Sequence, residues 1–167
     1  MKYSFLSVAL LVAAQALICN YLHISMYLTL SLLPAIAICI PSRISTIKAM
    51  LIAFAAGFAV DFAAEGVLGL NVVALLPVAG LRKTICNAIF GEEVRARDED
   101  FSIKKYGPAK VIFAVAIAQA IFLFIYVWAD GGVTRTLEEN LTRFIVSLIA
   151  GTMLSVMIAN MLTREDR

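Results

Sequence analysis

Apolar residues run along this chain in six blocks, at about 3–20, 26–40, 47–64, 67–81, 111–129 and 141–162. Short polar interruptions separate them, except for one long charged segment at 82–110. Crossing a bilayer takes about 20 mostly apolar residues in a helix, so the pattern predicts an all-α integral membrane bundle of six spans in a single domain, 1–167. Prolines punctuate the blocks. Pro34 predicts a kink in the second span and Pro41 its end, and Ser45 or Thr46 is placed to cap the third helix. The fourth block contains Pro77 and Gly80 and is short, which leaves full crossing, tilt or partial re-entry open. Gly107-Pro108 opens the fifth span, with proline suited to a first helical turn. Thr136 to Arg143 reads as a polar connector, and Ser147, Gly151 and Ser155 put small residues on one face of the sixth helix, suited to close packing.

Composition sharpens this reading. Of 167 residues, 62% are hydrophobic and 16% charged, against roughly 45–50% and 25% in a soluble domain. The first block also fits a signal peptide, with Lys2 ahead of it and Ala14-Gln15-Ala16 inside it, but its length favours an uncleaved first helix. Cys19, Cys39 and Cys86 lack metal or redox spacing and read as packing residues; His23 has no second ligand candidate nearby. The charges of 82–110 are mixed in sign, which predicts a solvated loop and not a nucleic-acid surface. With the amino terminus in the cytoplasm, all 14 basic residues except Arg135 and Arg143 fall on the inner side. That asymmetry predicts six spans with both termini cytoplasmic.

Two carboxylates stand out, Asp61 and Glu65, at the outer end of the third span. A charge at the centre of a membrane helix costs about 2.5–3.5 kcal/mol, so such groups are kept for a reason. The pair is one turn apart on one face, and Gly57 lies one turn before Asp61. Glu65 is placed to reach the water of the turn. For Asp61 the residues point to a brace, accepting hydrogen bonds from the backbone between Gly66 and Asn71, with direct contact to a ligand or partner as the alternative. Gln15, Asn71, Gln119 and Asn160 are single polar residues within apolar runs. They predict interhelical hydrogen bonds, each worth about 0.6 kcal/mol on average, or a polar cavity for a small ligand. No glycine-rich phosphate loop, nucleophile–histidine pair or metal-ligand cluster occurs, so neither enzyme activity nor a cofactor is expected.

Gly57-x-x-x-Asp61 at the end of an apolar helix, then Leu68-Gly69 and a further apolar helix, resembles the most characteristic segment of the rod shape-determining MreD family. The chain length, Gln15 in the first span, a second span closed by Pro41-Ser42-Arg43 and a charged loop before the last two helices are similar to that family over nearly the full length. The resemblance implies a multi-pass protein of the bacterial inner membrane, a non-enzymatic scaffold of the cell-elongation machinery. Its implied partners are the periplasmic protein MreC and, indirectly, MreB filaments, the RodA glycosyltransferase and its penicillin-binding transpeptidase. It also implies a fold related to the substrate-binding subunit of energy-coupling-factor transporters. That kinship supplies the second expectation, a small-molecule-binding subunit whose cavity is lined by Gln15, Asp61, Asn71 and Gln119. Gly57, Asp61, Leu68 and Gly69 carry over as residues that shape the hairpin or bind a partner. Glu65 departs from the small polar residue often found at its position.

Overall fold

The computed structural model describes residues 5–21, 28–41, 43–63, 67–91, 108–131 and 134–164. Among them are six helices: α1 (Phe5–Tyr21), α2 (Leu33–Ile38), α3 (Thr46–Ala63), α4 (Leu70–Phe90), α5 (Pro108–Gly131) and α6 (Leu137–Arg164). Four of these, α3 to α6, are long and apolar enough to cross a membrane. His23, Glu65, Gly66 and the charged segment between Gly91 and Pro108 lie outside the described residues.

The second apolar block is not one long helix. Only six of its described residues are helical, and the stretch before them, 28–32, has no regular structure. Pro34 falls in the first turn of α2, where a missing N–H costs nothing, so it starts a helix and kinks none. Every residue of α2 is buried, as expected of a helix apolar on all sides. It sits in the centre of the molecule and touches α1, α3, α4, α5 and α6. The longer helices pack in chain order, α3 on α4, α4 on α5 and α5 on α6, and α1 lies against α2 and α3. The core joins Leu33, Ile36 and Ile38 of α2 to Val60, Leu75, Val78, Val115 and Phe122.

Ser45 caps α3, its Oγ accepting from the Lys48 N–H at 3.4 Å. Helix α4 runs on past Leu81 to Phe90, nine residues into the segment expected to be loop, and Pro77 leaves it a single helix long enough to cross. It ends at Gly91, whose left-sided φ of 85° suits glycine. Helix α5 begins at Pro108, as its sequence predicts. Helix α6 starts four residues earlier than expected, because Thr136 and Glu139 form a capping box. The Thr136 N–H donates to Glu139 Oε2 at 3.0 Å and the Glu139 N–H to Thr136 Oγ1 at 3.4 Å.

Large apolar side chains also cover the outside, among them Phe54, Phe58 and Phe62 on α3 and Ile145, Ile149 and Met153 on α6. Exposed apolar area this extensive would cause aggregation in water and is the ordinary condition of a surface solvated by lipid.

Candidate functional site

Helix α4 starts without a cap of its own. Its N-cap is Gly69, in the left-handed region at φ 93°, which makes no side-chain cap hydrogen bond. Asp61 supplies such bonds from α3. Its Oδ2 accepts from the N–H of Gly69 at 3.0 Å and of Val72 at 3.4 Å, and its Oδ1 from the Asn71 N–H at 3.1 Å and Nδ2 at 2.8 Å. A helix N-terminus presents unpaired donors and partial positive charge, so a carboxylate there is stabilised twice. Asp61 is only 3% exposed. Buried in this way, it is compensated by four donors, each charge-assisted bond contributing about 1.5–3 kcal/mol.

Gly57 lets the two helices approach closely enough for this. A Cβ at position 57 would stand 3.0 Å from both Cα and N of Val72 and 3.2 Å from the carbonyl carbon of Asn71. Those are backbone atoms of α4, which cannot swing aside. Gly57, Asp61, Gly69 and Asn71 therefore form one unit, the pinned α3–α4 hairpin. Leu68, at its tip, points outward and is 64% exposed.

Gln15 and Gln119 are not part of it. The Gln15 side chain accepts from the Leu32 N–H at 2.6 Å and donates to the Leu30 carbonyl at 3.0 Å. It thus replaces the neighbouring strand or helical turn that the irregular 28–32 backbone lacks. Non-helical backbone at membrane depth is tolerated only where it is enclosed and paired in this manner. The same stretch is held from the other side. Ser147 Oγ accepts from the Thr29 N–H at 2.8 Å, and Arg143 Nε donates to Thr29 Oγ1 at 2.9 Å. Arg143 also pairs with Asp130, which Arg135 reaches at 3.1 Å. Gln119 lies near the middle of α5, facing Gly151 of α6. The four polar residues expected to share a cavity thus occupy three separate places, and those of Gln15, Asp61 and Asn71 are engaged with the chain's own backbone and one another.

Arg82 is a structural residue that the sequence reading assigns to the loop. It is 2% exposed inside α4 and donates Nη1 to the carbonyls of Ile40, at 2.6 Å, and Pro41, at 3.0 Å, and Nη2 to that of Ile44. The guanidinium closes the carboxyl end of α2 and the turn into α3, where carbonyls would otherwise be buried unpaired. The signal for it is the helical spacing of Val78, Arg82, Ile85 and Ile89, which continues the apolar face of α4 past Arg82 until Gly91 stops it.

Comparison of the chain with protein-family models, with curated proteins and with solved structures finds no match.

Proposed function

We propose that this chain is a non-enzymatic scaffold of the bacterial cell-elongation complex, of the MreD kind, and that the α3–α4 hairpin is where its membrane partner MreC docks. Through MreC it would connect MreB filaments to peptidoglycan synthesis. The observation that carries the proposal is the pairing of a rigid hairpin with an open apolar face. Asp61 fixes the turn, while Leu68 at the tip and Phe54, Phe58 and Phe62 along α3 all remain exposed. Phe54 and Phe58 stack with centroids 6.2 Å apart, and the exposed Ala55, Ala59 and Ala63 run beside the three rings. A ridge of rings next to a track of alanines suits the close approach of another transmembrane helix, because association within lipid depends on packing.

The distribution of basic residues supports the orientation this needs, with the inner membrane crossed so that the termini are cytoplasmic and the hairpin tip lies at the periplasmic face. Preorganisation by Asp61 removes an ordering cost from docking. The test is co-purification of MreC with variants that keep normal membrane levels. Leu68→Asn and Phe58→Ala should reduce capture by altering the surface, and Asp61→Ala by loosening the hairpin that presents it. Undiminished capture by all three variants would sink the proposal.

A further inference from the structure

Two guanidinium groups meet one carboxylate at the last turn of α5. The chain turns tightly after Gly131, whose carbonyl accepts from the Thr134 N–H at 3.2 Å and the Arg135 N–H at 3.0 Å. Arg135 is thereby folded back onto the end of α5, and a Cβ on Gly131 would stand 3.2 Å from its Cδ. Its Nη1 donates to Asp130 Oδ2 at 3.1 Å, and Arg143 of α6 donates its own Nη1 to the same oxygen. Arg143 Nε donates to Thr29. Two guanidinium forks carry many more N–H groups than these three bonds use. The remainder open outward: the side chains of Arg135 and Arg143 are 29% and 12% exposed, and neither has a nitrogen that is both buried and unpartnered among the described residues. Charge is also left over, two positive against one negative. Glu138 and Glu139 are exposed, and Glu139 Oε2 is taken by the Thr136 N–H.

Trp128 lies at the same level of the bundle. Its ring stands edge-on to that of Phe144, the neighbour of Arg143, with centroids 6.1 Å apart, and meets Phe124 at 4.8 Å. Tryptophan near the end of a membrane-crossing helix marks the depth of the lipid headgroups. Deeper along the two helices, Phe124, Ile145 and Ile149 are exposed to acyl chains. We propose that Arg135 and Arg143 hold the headgroup phosphate of an anionic phospholipid, with Asp130 keeping the two guanidinium groups converged. Phosphate oxygens match the planar fork of arginine. The surplus positive charge favours a lipid of net negative charge, such as phosphatidylglycerol, over zwitterionic phosphatidylcholine. A free anion would gain nothing from the apolar side chains below. The site shares no residue with the α3–α4 hairpin, so it stands or falls apart from the scaffold reading.

Trp128 is the only tryptophan in the chain, which makes its fluorescence a local reporter. The full chain is reconstituted in phosphatidylcholine vesicles containing a minority of phosphatidylglycerol. Brominated acyl chains, which quench tryptophan on contact, are carried either by the phosphatidylglycerol or by an equal amount of phosphatidylcholine. Phosphatidylglycerol should associate beside Trp128 about fivefold more strongly, the effect of one surplus basic group facing an anionic lipid. Arg135→Gln removes that surplus and should bring the ratio close to unity. Lys48→Gln, which removes an exposed cation beyond the other end of α2, should leave it unchanged. The comparison in the unaltered protein is decisive even if a variant does not accumulate. Equal quenching by the two brominated lipids, an Arg135→Gln variant that keeps the parent's ratio, or an equal loss in Lys48→Gln would overturn the assignment. So would loss of the preference when inorganic phosphate replaces chloride at constant ionic strength, since the site would then take the free anion.

Discussion

Asp61 Oδ1 accepts hydrogen bonds from both nitrogens of Asn71, the backbone N–H at 3.1 Å and the side-chain Nδ2 at 2.8 Å. The first turn of α4 is thereby capped by a residue of the preceding helix, and cap and hairpin brace are the same four bonds. Asp61→Ala should cost about 3 kcal/mol, because Gly69, Asn71 and Val72 lose their acceptor in a buried setting. Asp61→Asn, which keeps an acceptor oxygen and the shape, should recover roughly half of that. Equilibrium unfolding in mixed micelles measures the difference; equal losses for the two variants would show that the charge and second acceptor oxygen of the carboxylate, not its shape, hold the hairpin.

Gly57→Ala and Gly151→Ala provide a matched pair. The new methyl at 57 meets the backbone of Val72 and Asn71, whereas at 151 it meets the end of the Gln119 side chain. Backbone has nowhere to go, and an amide can rotate. Gly57→Ala should therefore destabilise by about 1–3 kcal/mol and Gly151→Ala by less, with the ordering read from the same unfolding assay.

Arg82→Lys should not substitute for arginine. One ammonium group cannot span the Ile40, Pro41 and Ile44 carbonyls as the guanidinium fork does. Loss of about 2–4 kcal/mol is expected for Arg82→Ala, with Arg82→Lys intermediate. A local reporter is available in Cys39, buried at the end of α2. With Cys19 and Cys86 replaced by serine, alkylation of Cys39 by a membrane-permeant maleimide should accelerate in the order arginine, lysine, alanine at position 82.

Gln15→Leu removes both bonds to the irregular stretch before α2 while preserving bulk and apolar character. The Leu30 carbonyl and Leu32 N–H are left in a dry interior, so the variant should lose about 2 kcal/mol although its side chain is more hydrophobic. Enhanced proteolysis near residues 28–32 is the accompanying observation; an unchanged cleavage pattern would mean that α6 alone holds the stretch.

Asp61 is legible in the sequence because a carboxylate ending an apolar helix demands compensation, and the turn that follows is within reach of it. The α2 region is not. An apolar run of that length reads as a span whether the backbone is helical or extended, and only pairing with Gln15, Ser147 and Arg143 decides which. Arg82 misleads for a related reason: a positive charge after an apolar block resembles a helix end when the carbonyls that receive it lie some forty residues earlier. The early start of α6 is written plainly in Thr136 and Glu139, a capping box that hydropathy alone passes over.

The bond from the Thr29 amide to Ser147 joins residues 118 positions apart. Segment 28–32 lies between the first helix and the last, taking Gln15 from one and Ser147 and Arg143 from the other. Its polar backbone therefore has no complete set of partners until α6 has been made and inserted. The central plug of the bundle is then among the last parts to become fixed, and a chain arrested before Ser147 carries an unfinished middle between helices that are otherwise complete.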